Sequence, residues 1–255
     1  METPSNQSFY DQNATYQDML QSHRDDPLWF RHFYEAILKH TAPESQILDV
    51  GCGTGATTCF LHKSRPNIQG VDFSNLFIET ARKYAPFFKV MDMKALEFPD
   101  QTFDLVCSAD AVEHVAGLEP ALAEMMRVVK PGGYIVLQAP NLSCGILSTN
   151  YKRNLRGICR RFCRMLSDFW NPSLKTIEKY PLDTLTSDRD AYNLISPVWL
   201  RRYFRSHGFR ICSLTTYACY FKPSPMTQFI FDVAEKLPLA KEIGGRLVLV
   251  AKKNS

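Results

Sequence analysis

The chain has 255 residues, of which 45% are hydrophobic, 12% aromatic and 22% charged, so it can bury a core without disulfides. Its net charge of +4 is too small to indicate nucleic-acid binding, and its eight cysteines include no CxxC pair typical of zinc sites. No apolar run approaches the roughly 18 residues of a membrane span, and the polar, acidic start does not resemble a secretory signal. These properties predict a cytoplasmic globular protein without a metal site.

The predicted elements change character near residue 46. Before it, residues 28–40 carry aromatic and aliphatic side chains at helical spacing, which predicts an N-terminal helical cap over residues 1–45. After it, apolar strands alternate with amphipathic helices, a pattern typical of a mostly parallel sheet whose ligands bind at the carboxyl ends of the strands. Strands are predicted at 46–50, 68–73, 88–91, 104–108, 134–138, 209–215 and 246–251, and helices from 55 and over 75–84, 118–129 and 198–207.

The alternation breaks between about 141 and 195, which predicts a helical insertion or lid after the fifth strand. Within it, residues 151–170 combine an apolar stripe at helical spacing with arginines on the other side, so a basic amphipathic helix is expected. It has three interpretations. It contacts an anionic membrane or a lipid-linked acceptor, it binds an acidic soluble substrate, or it covers the active site with its arginines solvated.

A glycine-rich turn follows the first predicted strand, in the run Asp49-Val50-Gly51-Cys52-Gly53-Thr54-Gly55. Glycines there let the backbone approach a ligand closely and expose amides at a helix start. The spacing is G-x-G-x-G, not the G-x-G-x-x-G of dinucleotide sites, and Asp49 precedes it. A carboxylate at this place would repel a pyrophosphate and suits a cationic ligand.

Acidic residues also lie at the end of the second strand and directly after the third. Asp72 comes 21 residues after Gly51, where a carboxylate would bind ribose hydroxyls, and Asp92 follows the third strand with Met93 beside it. Together with the glycine turn, these residues resemble the class I S-adenosylmethionine-dependent methyltransferase family, including its ubiquinone-type small-molecule members. The resemblance runs from residue 46 to residue 138.

The resemblance implies the fold, the cofactor and the roles of individual residues. The fold would be a Rossmann-like α/β domain over residues 46–255, with a seven-stranded, mostly parallel sheet and helices on both faces. The cofactor would be S-adenosylmethionine, with S-adenosylhomocysteine as product. Its methionine part would lie over Gly51, Gly53 and Gly55, with Asp49 near its amino group or ordering the loop. Asp72 would bind the ribose, Asp92 the adenine amino group, Met93 and Phe73 the two adenine faces, and Ala109 and Asp110 would border the methyl group.

Methyl transfer to a hydroxyl needs a base near the end of the fourth strand. His114 is the candidate catalytic residue, because imidazole has a suitable pKa and the segment Glu113-His114-Val115 resembles that of the ubiquinone-type enzymes. Two alternatives remain at this point. Glu113 and His114 shape the pocket floor through backbone contacts, or Asp110, Glu113 and His114 share a helical face that binds Mg²⁺.

The sequence therefore predicts a methyltransferase acting on a small molecule, most simply on oxygen, with a lipid-linked or aromatic acceptor. Nucleic acid is not the expected partner, because Ser108-Ala109-Asp110-Ala111 departs from the Pro-Pro-aromatic motif of nucleic-acid amino methyltransferases. Peripheral membrane contact through residues 151–170 is an additional expectation. The rival hypotheses are transfer to nitrogen or carbon, and a noncatalytic cofactor-binding protein with the same fold.

Overall fold

A computed structural model describes residues 30–141, 163, 167, 170, 174–176, 193–217 and 245–255. Its centre is a seven-stranded sheet with the order β3-β2-β1-β4-β5-β9-β8. All neighbouring strands run parallel except β9, which is antiparallel to both β5 and β8. The predicted mostly parallel seven-stranded sheet is confirmed. The strands are β1 Ile47–Val50, β2 Ile68–Asp72, β3 Phe88–Val90, β4 Phe103–Ala109, β5 Val129–Pro140, β8 Phe209–Tyr217 and β9 Arg246–Lys253.

Helices cover both faces of this sheet. On one face, α1 (Arg31–His40) buries Phe33 and Ile37 against β4, β5 and β9, and α2 (Ala56–His62) adds Leu61 to the same cluster. On the other face, α4 (Leu118–Val128) and α5 (Pro197–Ser206) pack on the larger core. The helix α3 (Asn75–Arg82) packs near the β3 edge.

One buried arginine fixes the N-terminal helix to the sheet domain. Arg65 donates from Nε to the Thr41 hydroxyl at 2.8 Å and from Nη2 to the carbonyls of Leu38 and Thr41 at 3.1 and 2.8 Å. These carbonyls belong to the last turn of α1, where helices leave acceptors without helical partners. Arg65 thus caps α1 from outside. The predicted boundary of a cap domain at residue 45 stays a prediction.

The structure differs from the predicted elements in where β5 begins and in a short additional sheet. Strand β5 begins earlier than expected, at Val129, because Val129 pairs with Phe103 before residues 130–133 leave the ladder and pairing resumes at Tyr134 with Leu105. A short two-stranded sheet, β6 (Lys175–Thr176) with β7 (Asn193–Leu194), lies within the predicted insertion and has no clear sequence signal.

The predicted basic amphipathic helix over 151–170 lies almost wholly outside the described residues. Of that segment the structure describes Cys163, Ser167 and Trp170, which are helical and exposed. Among the helices of the described ranges, none is long and apolar enough to cross a membrane.

Candidate functional site

The predicted site residues lie along one edge of the sheet. Because β3, β2, β1 and β4 are parallel neighbours, their carboxyl ends meet at the same edge, in that order. Asp92 follows β3, Asp72 ends β2, the glycine loop follows β1, and Ala109 ends β4. The structure therefore brings together residues that are up to 60 positions apart in the sequence.

The glycine loop has a backbone that side chains would not tolerate. Gly51, Gly53 and Gly55 all have positive φ angles, of 75°, 54° and 80°. A Cβ atom on Gly51 would lie 2.4 Å from Ala111 Cβ and 3.3 Å from Met93 Cε. The loop is thus in close contact with the segments that follow β3 and β4, so the three strand ends form one continuous surface.

Asp49 lies beneath this loop. It is 1% exposed, and its Oδ2 accepts a hydrogen bond of 2.6 Å from the Thr58 hydroxyl in α2. Burial raises the pKa of Asp49 to about 6, although hydrogen bonds from Thr58 and Thr57 oppose the shift. Of its two predicted roles, these contacts support the ordering of the loop, since the carboxylate joins β1 to α2 across the turn.

Asp72 is held by backbone amides on both sides. Its Oδ2 accepts from Gly53 N at 2.9 Å, and its Oδ1 accepts from Ser74 N at 3.0 Å. The residue is 7% exposed, beside the glycine loop, as a ribose site would require.

The adenine-side residues are more exposed. The Asp92 side chain is 52% exposed, and its Oδ1 accepts from Lys94 N at 2.9 Å, which closes a tight turn. Met93 and Phe73 are half-buried. Phe73 lies directly after β2, not within it as predicted, because β2 ends at Asp72. Their roles on the two faces of an adenine stay predictions.

Asp110 does not lie in the helical turn that was predicted to contain it. It has a φ of 52°, which is uncommon for a non-glycine residue, so the chain turns sharply after β4 and a helical turn begins only at Val112. Its carboxylate contacts the Arg246 guanidinium and, at 3.4 Å, Gln138 Nε2. The expected helical face shared by Asp110, Glu113 and His114 is therefore wrong, because Asp110 precedes the turn.

Glu113 and His114 lie in the short 3-10 turn Val112–His114. Glu113 is 1% exposed, and its Oε1 lies 3.6 Å from His114 Nε2. Among the residues that the structure describes, Glu113 Oε2 has no hydrogen-bond partner. The His114 side chain is 11% exposed, so it lies at the boundary between this buried carboxyl and the strand-end surface.

The magnesium alternative has no supporting geometry. In the described part of the chain, no group of three or more histidine, cysteine, aspartate or glutamate side chains is arranged to hold a metal ion. The Asp110 carboxylate, which this alternative needs, contacts Arg246 and Gln138.

Several polar residues of this region were not identified from the sequence. Arg246 begins β9 and pairs with Asp110 from 136 positions away, and Gln138 accepts from the Tyr217 hydroxyl at 2.9 Å. Asn193 Nδ2 donates to the carbonyls of Val112 and Val115, at 3.1 and 2.8 Å, and so anchors the 3-10 turn. The usable signal was a polar residue within an apolar strand, as at Gln138 in the run Ile-Val-Leu-Gln-Ala-Pro.

Replacing Glu113 by glutamine should change how stability depends on pH. Burial raises the pKa of Glu113 to about 8, His114 lowers it, and Asp110 raises it. Because the folded carboxyl holds its proton above the ordinary glutamate pKa, the wild type loses stability as pH rises from about 4.5 through about 8. Relative to wild type, Glu113→Gln should gain up to about 1.4 kcal/mol of unfolding free energy per pH unit across this range, measured by urea denaturation.

The same substitution at Glu119, which is exposed on α4, is the control and should leave the pH dependence unchanged. Wild-type and Glu113→Gln curves that stay parallel from pH 5 to pH 8 would contradict a buried, protonated Glu113.

Comparison with known proteins agrees with this geometry. A family described as a methyltransferase domain matches residues 48–137, which include the glycine loop, Asp72, Asp92 and the 3-10 turn. Residues 48–137 are a methyltransferase domain. The predicted resemblance to methyltransferases is thereby confirmed over these residues, and the fold is that of a solved S-adenosylmethionine-dependent methyltransferase.

Relatives and a solved structure extend the comparison. A 2-methyl-6-phytyl-1,4-hydroquinone methyltransferase of Synechocystis is 38% identical over 37% of this chain and 32% of its own. A ubiquinone/menaquinone biosynthesis C-methyltransferase, UbiE of Desulfotalea psychrophila, is 37% identical over 36% of this chain and 39% of its own. The chain thus spans about a third of the length of these relatives. An S-adenosylmethionine-dependent methyltransferase structure from Mesorhizobium loti is 17% identical, covers 90% of this chain and 100% of its own, and has a TM-score of 0.60.

Proposed function

We propose that this protein transfers a methyl group from S-adenosylmethionine to a small organic acceptor with an ionisable hydroxyl on an aromatic ring. The observation that carries the proposal is the alignment of Asp92, Asp72, the glycine loop and Asp110 along one sheet edge within the methyltransferase domain. Asp72 and Asp92 provide carboxylate acceptors for the hydroxyl and amino groups of such a cofactor, and Asp110 is paired with Arg246.

The residues present fit this cofactor by the chemistry of their acceptor groups. Asp72 would accept from the ribose hydroxyls while its amide contacts with Gly53 and Ser74 hold it in place. Asp92 would accept from the adenine amino group, and the glycine loop would contact the methionine part. When bound, S-adenosylmethionine supplies a methyl group on a positively charged sulfur, which is a strong electrophile.

The acceptor must lose a proton as its new bond to the methyl carbon forms and the carbon–sulfur bond breaks. His114 is the proposed base, since it borders the end of β4 and imidazole accepts protons near neutral pH. A hydroquinone fits this role, because removal of its hydroxyl proton makes both the oxygen and the ring carbons beside it nucleophilic. We keep transfer to oxygen as the first candidate. Transfer to carbon is the second, favoured by the relative that is named a C-methyltransferase.

The test is methyl transfer from ¹³C-methyl-labelled S-adenosylmethionine to an isoprenyl-substituted 1,4-hydroquinone, with NMR to locate the label on oxygen or carbon. His114→Ala should lower kcat by about 100-fold or more and leave the Kd for S-adenosylhomocysteine unchanged. Unchanged kcat would remove His114 as the base. Tight cofactor binding without transfer to hydroquinones, other phenols or amines would favour the noncatalytic rival.

We further propose that the protein acts at a membrane surface. A cytoplasmic protein that reaches a lipid-linked acceptor at a membrane surface accords with the basic segment 151–170 and with relatives named for prenylated quinones. Failure to cosediment with anionic vesicles at low salt would contradict this membrane contact.

A further inference from the structure

The loop that follows β3 carries Asp92 and Met93, and it is held from α4 by a pair of residues that we call the α4 clamp, Glu124 and Arg127. Their side chains form a bidentate ion pair: Arg127 Nε donates to Glu124 Oε1 and Arg127 Nη2 to Glu124 Oε2, both at 2.8 Å. Such paired bonds fix the orientation of both planar groups.

The clamp also binds the loop directly. Arg127 donates from Nη2 to the Leu96 carbonyl and from Nη1 to the Phe98 carbonyl, each at 2.8 Å. It reaches the Asp100 carboxylate at 2.7 Å, and Glu124 Oε2 accepts from Leu96 N at 2.8 Å. Every one of these bonds has a charged partner, which makes them stronger than bonds between neutral groups.

The loop is also held by local bonds to Asp92, by the buried side chains of Met91 and Leu96, and by backbone bonds at its two ends. At its far end, Gln101 N and Thr102 N donate to the carbonyls of Arg127 and Val128, at 3.0 and 2.8 Å. At its near end, Met91 N donates to the Asp72 carbonyl at 2.9 Å. Asp92 and Met93 lie between these two anchors, so their position depends on the clamp as well as on β3.

We propose that Glu124 and Arg127 are positioning residues for the adenine end of the cofactor, acting through Asp92 and Met93. The inference rests on the proposed function, since it assumes that this loop faces an adenine. The clamp lies on α4 and bonds to the loop at Leu96, Phe98 and Asp100, so its proposed effect on the cofactor is indirect. The clamp is expected to affect how strongly the protein prefers a ligand with an adenine over one with another purine.

The experiment measures two ligands by calorimetry, S-adenosylhomocysteine and S-inosylhomocysteine, in which a carbonyl replaces the 6-amino group. Wild type should prefer S-adenosylhomocysteine by about tenfold or more, because Asp92 accepts a hydrogen bond that the inosine compound cannot donate. Arg127→Ala should weaken S-adenosylhomocysteine binding by about tenfold and reduce the preference to about twofold or less. Glu124→Gln, which keeps the side-chain shape and removes the ion pair, should act in the same direction.

Arg65→Ala is the matched control. Arg65 also binds several carbonyls through its guanidinium, but it holds α1 and not the loop after β3. It should lower Tm while leaving both Kd values and their ratio unchanged. In an Asp92→Ala background, Arg127→Ala should cause no further loss of preference, because both substitutions remove the same contact.

Two outcomes distinguish failure of the proposed function from failure of the positioning role. If wild type binds neither ligand, the proposed function fails. If wild type binds and discriminates while Arg127→Ala lowers only Tm, with the preference retained, the positioning role is overturned and the clamp is structural.

Discussion

Asp72→Ala should weaken the binding of S-adenosylmethionine and S-adenosylhomocysteine by about 100-fold or more, as measured by calorimetry. The substitution would remove the two charge-assisted hydrogen bonds that we propose between Asp72 and the ribose, each worth about 1.5–3 kcal/mol, and 100-fold corresponds to about 2.7 kcal/mol. It also frees Gly53 N from its 2.9 Å bond to the carboxylate, so the glycine loop loses one of its fixed points.

Asp104→Ala provides a matched control for this result. Asp104 likewise accepts from a backbone amide, that of Gln46 at 2.8 Å, and it pairs with Lys130, but it lies at the start of β4, on the opposite edge of the sheet. Its loss should lower Tm and leave cofactor affinity intact. An Asp72→Ala protein that remains folded and binds within about threefold of wild type would show that the ribose site is wrongly assigned.

Gly55→Ala should be strongly destabilising, lowering the unfolding free energy by about 3 kcal/mol or more in urea denaturation. Gly55 has a φ of 80°, and a Cβ atom there would lie 2.5 Å from Cζ of Phe88. A left-handed backbone costs an alanine about 1–2 kcal/mol, and forcing a side chain into a packed core adds about 1–3 kcal/mol. Phe88 is 1% exposed, so its ring has little room to move.

Gly117→Ala isolates the backbone contribution. Gly117 also precedes a helix and has a φ of 77°, but a Cβ atom there would meet nothing within 4 Å. Gly117→Ala should lower the unfolding free energy only by the cost of the left-handed backbone, about 1–2 kcal/mol. Equal costs at the two glycines would refute the steric argument, whereas Phe88→Leu should recover part of the Gly55→Ala loss if overlap with the ring is its cause.

The part of the site that could be predicted is local in sequence. The glycine spacing identifies a turn with positive φ angles, and Asp72 and Asp92 follow the next two strands. Consecutive strands of a parallel sheet place their carboxyl ends at one edge, so the cofactor edge required no knowledge of distant contacts. The sheet was predictable for the same reason, because most strands contain a short apolar run and most are separated by a helix.

The remaining part depends on contacts across long stretches of chain. Arg246 meets Asp110 from 136 positions away, and Asn193 reaches the 3-10 turn from about 80. Periodicity carries no information on such pairs. The positive φ of Asp110 was also unpredictable, since aspartate adopts it only where surrounding contacts favour it, and this angle separates Asp110 from the helical face expected for it.

The position of β9 affects the order in which parts of this site can fold. The strand inserts between β5 and β8, pairing Lys252 with Tyr134, so an interior strand of the sheet is supplied by a late part of the chain. Until it docks, β5 presents an open edge that is prone to pair with other chains, and closing so long a loop slows folding. Arg246 is the first residue of β9. Residues 47–138 contain the strand ends that carry Asp72 and Asp92 and can assemble before β9, whereas the contact between Asp110 and Arg246 forms only when β9 is in place.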